Sequence, residues 1–232
     1  MHRFFVDKNQ IPLITGSDAH QIRAVLRMKK EDRLELLDGT GRIHLAEIAE
    51  IKKDKVLCKV ISSRFEGPET KIKVSIAQCL PKGKKMDLII QKCTELGAHK
   101  IIPILSERSI AKGGKPERWQ KIAKEAAEQS GRTTMPEVSP LASFEDLLKT
   151  VNGYDLGLIP WELEKETTLK SVLKKQKPSR LLIIIGPEGG FSAAEAAVAQ
   201  EKGFHAVSLG PNILRAETAA VAVLGIIGYE YS

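Results

Sequence analysis

The sequence predicts an α/β domain with a mostly parallel sheet, preceded by a small β-barrel. From Lys73 onward, short apolar runs alternate with amphipathic helical runs, an order that places helices against a parallel sheet. The residues before that point instead carry short β-rich runs separated by tight turns, which are typical of a small barrel. Because Gly67-Pro68 breaks the pattern, we predict two domains, one over 1–69 and one over 72–232.

The first domain is predicted to consist of three strands and one helix. The turn Asp38-Gly39-Thr40-Gly41 separates two β-rich runs as in a hairpin, and the charged turn 52–54 separates the next two. A short helix fits 17–26, with Ser17 or Asp18 as its N-terminal cap. The predicted strands are 33–37, 43–51 and 55–62.

The second domain is predicted to alternate strands and helices. Helical spacing of apolar residues begins at Met86 and stops at Gly97, and Pro116 opens the next helix at its first position. Ser192 and Glu195 form a capping box that opens a helix ending near Gly203. A final apolar helix covers 218–229, and the predicted strands are 74–80, 101–105, 154–159, 181–185 and 206–209.

Charge and cysteine usage narrow the class of protein. The net charge is +7, spread over both domains, which favours an acidic partner such as nucleic acid. Cys58, Cys79 and Cys93 are far apart among apolar residues, so we expect buried thiols and no zinc site or disulfide. The chain begins without a signal-peptide pattern, and its most apolar segment, 219–227, is too short to span a bilayer. We therefore expect a soluble cytoplasmic protein without a metal.

Two unusual loops follow predicted strands, where ligands of parallel sheets bind. The first, 186–192, reads Gly-Pro-Glu-Gly-Gly-Phe-Ser. A phosphate would need free N–H groups, but Pro187 has none and Glu188 adds a carboxylate. The loop therefore suits a neutral or cationic ligand close to the backbone, such as S-adenosylmethionine. The alternative is a tight turn that joins a strand to a capped helix.

The other loop, 209–218, places Arg215 and Glu217 on either side of a small residue at the start of the last helix. These two side chains are candidates for chemistry. The alternative is an ordinary helix start, in which Glu217 favours the helix dipole and Arg215 is solvated. A third candidate loop, 158–161, also follows a strand, and its alternative is a plain loop with a packed tryptophan.

Taken together, the segments 183–192 (Ile-Ile-Ile-Gly-Pro-Glu-Gly-Gly-Phe-Ser) and 209–219 (Leu-Gly-Pro-Asn-Ile-Leu-Arg-Ala-Glu-Thr-Ala) resemble the RsmE family. These are the small-subunit ribosomal RNA uridine-N3 methyltransferases of the SPOUT superfamily. The resemblance extends along nearly the whole chain, through the segments 20–29, 84–97, 106–109 and 125–132.

The resemblance implies a SPOUT-type parallel sheet with a deep C-terminal trefoil knot, preceded by a PUA-like β-barrel. It also implies S-adenosylmethionine as cofactor, 16S ribosomal RNA of the small ribosomal subunit as partner, and a homodimer with its active site at the subunit interface. The residues implied to hold the cofactor are Ile159, Pro160, Gly186, Pro187, Glu188, Gly190, Leu209, Gly210, Ile213 and Leu214.

The implied reaction assigns roles to two residues. Uridine N3 is a poor nucleophile until its proton leaves, and Arg215 is expected to stabilise the resulting anion. Glu217 would either take that proton or hold Arg215 in place, and both roles remain open. The expected RNA contacts are Arg3, His20, Arg27, Lys84, Arg108 and Arg132, with Lys112 and Lys115 on a glycine-rich loop.

The chain departs from the family pattern at two positions of the segment 209–219. Asn212 stands where the family usually has arginine, and Ala216 stands where it usually has threonine. The first departure leaves open an inactive ribosome-assembly factor of the same fold. A dinucleotide-dependent enzyme is the third hypothesis, but the chain has no GxGxxG motif, and Pro187 and Glu188 argue against it.

Overall fold

The structure is a computed structural model that describes residues 1–67, 71–110 and 113–231. The chain divides into two compact units. One comprises Met1–Glu69 with Ala127–Met135, and the other comprises Thr70–Ala126 with Pro136–Ser232. Pro68 of the predicted break and Lys112 of the glycine-rich loop lie outside the described residues.

The first unit contains a five-stranded sheet in the order β1-β3-β4-β5-β2. The pairing of β1 with β3 is parallel and the other pairings are antiparallel. Buried side chains from all five strands join one apolar core together with Ala19 and Ile22 of the helical segment. The strands are β1 (Arg3–Phe5), β2 (Leu13–Thr15), β3 (Arg33–Leu37), β4 (Arg42–Ile51) and β5 (Lys55–Phe65).

The predicted helix of this unit has two parts. The α-helix α1 (Gly16–His20) continues as a π-helical segment over Gln21–Val25, so the helix lies one residue earlier than the predicted 17–26. Its N-cap is Thr15, and the predicted cap at Ser17 or Asp18 was wrong. The three predicted strands are confirmed, and β5 runs three residues past its predicted end. Because β1 and β2 have only three residues each, they lack the alternation that would have revealed them.

A buried charge stabilises the first unit. Glu35 is almost fully buried, and its two carboxylate oxygens each lie 2.7 Å from a guanidinium nitrogen, of Arg3 and of Arg64. Burial raises the pKa of this carboxyl, but the hydrogen bond from Arg64 and the charges of both arginines hold it below its usual value. Arg3 also donates to the carbonyl of Gly131.

The second unit contains a seven-stranded sheet in the order β12-β10-β11-β6-β7-β8, with β9 also pairing with β7. All of its strand pairings are parallel, as the sequence predicts. The strands are β6 (Lys73–Cys79), β7 (Lys100–Leu105), β8 (Glu137–Val138), β9 (Ala142–Ser143), β10 (Leu156–Pro160), β11 (Arg180–Ile185) and β12 (Phe204–Val207).

Helices cover both faces of this sheet, so each face packs on its own apolar core. In β11, Leu181 and Ile183 belong to one core and Leu182 and Ile184 to the other, which explains the continuous apolar run. The helices are α2 (Lys85–Glu95), α3 (Pro116–Ser130), α4 (Phe144–Lys149), α5 (Leu169–Leu173), α6 (Ala193–Glu201) and α7 (Ala216–Glu230). Within this unit, α2, α5, α7 and the start of α3 pack on one face, and α4 and α6 on the other.

Three predicted helix boundaries hold because local chemistry sets them, whereas α7 begins two residues before its predicted start at 218. Gly97 has a φ of 88°, a conformation that ends α2, and Pro116 is the first residue of α3. Ser192 and Glu195 form the predicted capping box, with hydrogen bonds of 3.2 Å and 2.9 Å.

The three cysteines are buried free thiols, as predicted. Burial raises the pKa of Cys58 to about 11 and those of Cys79 and Cys93 to about 12, so they stay protonated at neutral pH. Across the described ranges, no cluster of three or more metal-ligating side chains occurs. In the same ranges, the helices are too short or too polar to cross a membrane.

Candidate functional site

Three loops meet where β10, β11 and β12 end. These strands are neighbours in the parallel sheet, so their carboxyl ends lie side by side. The loop after β11, residues 186–190, is called here the glycine loop, and the loop after β12, residues 208–214, the second loop. Together with the segment that follows Pro160, they enclose a cavity of about 250 Å³.

Nine of the ten predicted cofactor residues line this cavity: Pro160, Gly186, Pro187, Glu188, Gly190, Leu209, Gly210, Ile213 and Leu214. Ile159 is the exception, because its side chain is fully buried in the core beneath α4 and α6. Neighbouring residues of a strand point to opposite faces, so the residue before Pro160 in β10 cannot share its wall.

The cavity also has walls outside the ten predicted cofactor residues. Trp161 and Glu162 follow β10, and the ring nitrogen of Trp161 donates to the carbonyl of Phe191 at 3.4 Å. The departing residue Asn212 lines the cavity as well. The first helical turns of α7 contribute Ala216 and Ala219, whose small side chains leave room for a ligand. A single polar residue after a strand carries no local pattern, so Glu162 could not be predicted from the sequence.

Two glycines are required by the shape of the glycine loop. A side chain at Gly186 would come within 3.1 Å of the Phe191 ring. Gly190 has a φ of 65°, and the Glu162 carboxylate occupies the space that its side chain would need. The loop is closed by a hydrogen bond of 3.0 Å from Gly190 N–H to the Pro187 carbonyl. Backbone rather than side chain therefore faces a ligand here.

The glycine loop is braced by the segment after β7. The Arg108 guanidinium donates to the Gly189 carbonyl at 2.9 Å, and the Glu195 carboxylate accepts from the Glu107 N–H at 2.8 Å. Glu195 is also the capping residue of α6, so one side chain fixes both the helix start and this segment. The match at 106–109 that the sequence analysis noted thus has a structural role beside the loop.

Glu188 of the glycine loop and Glu217 of α7 both pair with one lysine, Lys85. The Oε1 atom of Glu188 accepts from the Lys82 N–H at 3.1 Å and from Lys85 Nζ at 3.0 Å. The same Nζ lies 3.5 Å from Oε2 of Glu217. Burial raises the pKa of Glu188, but the Lys85 hydrogen bond and charge hold it below its usual value. The pKa of Lys85 is raised, first by its hydrogen bond to Glu188.

Arg215 and Glu217 stand in different surroundings. Arg215 is the N-cap residue of α7, is exposed, and has no ion pair within the described part of the chain. It lies between Leu214 and Ala216, which both line the cavity. Glu217 is largely buried and pairs with Lys85, and its Oε2 has no hydrogen-bond partner among the described residues. The ion pair therefore links Glu217 to α2 and leaves the Arg215 guanidinium available to a ligand.

The predicted RNA-binding residues of the first unit differ in exposure. His20 and Arg27 are exposed on or beside the helical segment, and Arg27 has a φ of 53°. Arg3 forms an ion pair with Glu35 and donates a hydrogen bond to the carbonyl of Gly131. Arg132 is 7% exposed and donates to the Thr134 hydroxyl at 3.2 Å.

In the second unit, Lys84 is the exposed N-cap residue of α2, directly before Lys85. Arg108 is exposed and reaches the glycine loop. These two cations lie next to the segments that build the cavity, and an anionic partner approaching the cavity would meet them.

Family models match both parts of the chain. Residues 68–228 match a family described as RNA methyltransferase domain, and residues 14–61 match one described as RNA methyltransferase PUA domain. The first match covers more than half of the chain.

Similar proteins agree with these matches. The chain is 41% identical to the ribosomal RNA small subunit methyltransferase E of Bacillus subtilis, over 99% of this chain and 97% of that protein. It is 37% identical to the protein of the same name from Synechocystis, over 92% of this chain and 71% of that protein.

A solved structure extends the likeness to three dimensions. The ribosomal RNA small subunit methyltransferase E of Neisseria gonorrhoeae, bound to S-adenosyl methionine, aligns with a TM-score of 0.90 at 29% identity, covering 99% of this chain and 97% of that one. Sequence and fold agree along the full length of the chain, which therefore belongs to the ribosomal RNA small subunit methyltransferase E family.

Proposed function

We propose that this chain transfers a methyl group from S-adenosylmethionine to N3 of a uridine in 16S ribosomal RNA of the small ribosomal subunit. The observation that carries the proposal is the cavity at the carboxyl ends of β10, β11 and β12. Backbone and small residues form part of its lining, and Arg215 lies between two lining residues, Leu214 and Ala216. The family membership of the whole chain supports the same reaction.

The residues of the cavity fit S-adenosylmethionine. The glycine loop presents backbone without Cβ atoms at Gly186 and Gly190, where the flat adenine ring of the cofactor can lie close to the chain. Glu162 and Glu188 place two carboxylates in the lining against one cation, Lys165, and this balance favours a cationic ligand over a phosphate. When bound, this cofactor supplies an electrophilic methyl group on a sulfonium.

The residues of the chain prepare the uridine. Loss of the N3 proton leaves a negative charge that spreads over N3, O2 and O4 of the base. The exposed guanidinium of Arg215 stabilises that charge, because it stays protonated and presents several donors in one plane. The absence of an internal ion pair at Arg215 in the described residues supports this role, since its donors are free for the base.

Glu217 either receives the N3 proton or holds Arg215 in place. Its largely buried carboxylate, two residues after Arg215, suits both roles. If it is the base, the rate of methyl transfer rises with pH in the wild-type enzyme and Glu217→Gln loses that dependence. An unchanged pH profile in Glu217→Gln would rule out the base.

The RNA is bound by cations of both units, and the exposed candidates are His20, Arg27, Lys84 and Arg108. Phosphate contacts release counterions, so affinity falls steeply as salt is raised. Affinity for the small subunit that barely changes with salt would count against this set. Asn212 lines the cofactor cavity, so its replacement by the family's usual arginine tests whether the departure affects cofactor binding or RNA binding.

The active enzyme is a cytoplasmic homodimer whose C-terminal segment forms a trefoil knot. The outer side of α7 supports the dimer, because Ile226 is 42% exposed and Tyr229 is 86% exposed on a helix otherwise rich in apolar residues. A monomeric mass measured by light scattering would contradict the proposed dimer. The family membership of the whole chain supports the knot.

A transfer assay tests the reaction. The protein is incubated with tritium-labelled S-adenosylmethionine and small subunits from a strain that lacks the enzyme, and the RNA is then digested to nucleosides. Label in N3-methyluridine is the expected result. Cofactor binding without label would instead favour the inactive assembly factor, and Asn212→Arg would then be the first variant to assay.

A further inference from the structure

Lys85 holds the two halves of the site together. It lies in the first turn of α2, and its ammonium reaches Glu188 of the glycine loop at 3.0 Å and Glu217 of α7 at 3.5 Å. These partners are 103 and 132 residues away in sequence. Since both carboxylates reach one nitrogen atom, the glycine loop and the start of α7 share a single fixed point.

The two carboxylates depend on this lysine. Without it, two negative charges would face each other beside the cavity, and like charges at this range repel. Glu217 is the more dependent, because it is largely buried and its Oε2 has no hydrogen-bond partner within the described residues. A largely buried carboxylate that loses its cation is left uncompensated, which is strongly unfavourable. Glu188 keeps a second donor in the Lys82 N–H.

We propose that Lys85 is a positioning residue for methyl transfer, which couples the glycine loop to the N-terminus of α7. Lys85 does not line the cavity itself, so its effect on the cofactor passes through Glu188 and its effect on the transfer step through Glu217. This inference rests on the proposed function. It makes the lysine on α2 a third element of the site, beside the two loops.

The test compares three variants. Lys85→Met removes the charge, Lys85→Arg keeps it, and Lys92→Met is the matched control, because Lys92 lies on the same helix in a surface ion pair with Glu95 at 2.8 Å. Affinity for S-adenosylmethionine is measured by calorimetry, and single-turnover methylation of small subunits is measured at saturating cofactor. We expect Lys85→Met to weaken affinity about fivefold and to slow transfer about tenfold. Lys85→Arg should keep both the affinity and the transfer rate within about twofold of wild type, and Lys92→Met should leave both at the wild-type values.

A double-mutant cycle separates positioning from general damage. In a Glu188→Gln background, Lys85→Met should change cofactor affinity by less than about twofold, because its partner is already gone. An equal loss in both backgrounds would overturn the proposal, as would a Lys85→Met that behaves like Lys92→Met or a Lys85→Arg that behaves like Lys85→Met. Should Lys85→Met fail to fold, Lys85→Gln takes its place in the same comparison.

The proposed function fails separately. A wild-type chain that binds no S-adenosylmethionine, or binds it without methylating RNA, contradicts the reaction before any variant is compared. A wild-type chain that does both, with Lys85→Met unaffected, contradicts only the role of Lys85.

Discussion

The Glu195 carboxylate accepts a hydrogen bond from the backbone N–H of Glu107, which lies 88 residues earlier in the chain, at 2.8 Å. The same side chain caps α6 through the N–H of Ser192. One buried carboxylate thus satisfies two backbone donors at the edge of the glycine loop.

Replacement of this carboxylate should therefore destabilise the second unit. We expect Glu195→Ala to lower the free energy of unfolding by about 1–3 kcal/mol, since one buried and one partly buried backbone donor lose their acceptor. Glu201→Ala, on the exposed end of the same helix, is the control and should change it by less than about 0.5 kcal/mol. Equilibrium denaturation measures both, and equal effects would contradict the bracing role of Glu195.

Gly190→Ala should weaken cofactor binding. Alanine at this position would have to adopt a φ of 65°, which is unfavourable for it. Its Cβ would also displace the Glu162 carboxylate from the cavity wall. Gly203 is the matched control, because its φ of 87° carries the same strain while nothing lies within 4 Å of a Cβ placed there. Each variant should lose about 1 kcal/mol of stability. Calorimetry with S-adenosylmethionine should show weaker binding for Gly190→Ala alone, and equal affinities would refute the shape argument.

Arg215→Gln should separate chemistry from cofactor binding. A donor aimed at a developing anion is worth about 10²–10³-fold in rate, so the single-turnover rate should fall by that range. Cofactor affinity should stay within about twofold of wild type, because Arg215 does not line the cavity. Arg215→Lys should recover only part of the rate, because an ammonium lacks the planar fork. A normal rate in Arg215→Gln would exclude the assigned role.

Glu35→Gln should flatten the acid dependence of stability. The pKa of this carboxyl is below its usual value of 4.5 in the folded chain, so its contribution is present above pH 4.5 and is lost as pH falls below it. Wild-type stability should therefore drop faster than that of Glu35→Gln below that pH. At neutral pH, Glu35→Gln should cost about 1–3 kcal/mol.

Glu50→Gln serves as the control for this experiment. Its ion pair with Lys52, at 3.0 Å, lies on the surface with both side chains about half exposed. Surface pairs of this kind contribute little, so the stability and pH profile should stay close to wild type. If the stability of Glu35→Gln and that of the wild type fell in parallel as pH was lowered, the Glu35 carboxylate would not be the group that makes the first unit sensitive to acid.

The sequence predicted those parts of the fold that depend on local patterns. The apolar run of β11, the capping box at Ser192 and the stop at Gly97 each leave a signature within a few residues, and each lies where it was expected. The two-residue strands β8 and β9 leave none, because alternation needs a longer segment.

The site was predictable to the same extent. Glycine and proline loops after strands are visible in one dimension, so nine of the lining residues were found. Lys85 and Glu162 were missed as site residues, because what distinguishes them is a partner far away in sequence. Only the sheet order, which puts β11 between β6 and β10, brings such residues together.

That sheet order also determines when the protein can act during its own synthesis. Ribosomes deliver the chain from its N-terminus, yet β11 fills the gap between β6 and β10, and the last wall residue of the cavity is Ala219 in α7. A nascent chain with β6 to β10 complete still lacks most of the pocket. The cavity is therefore complete only once the chain has been synthesised past Ala219, and a product truncated before β11 lacks most of the residues that line it.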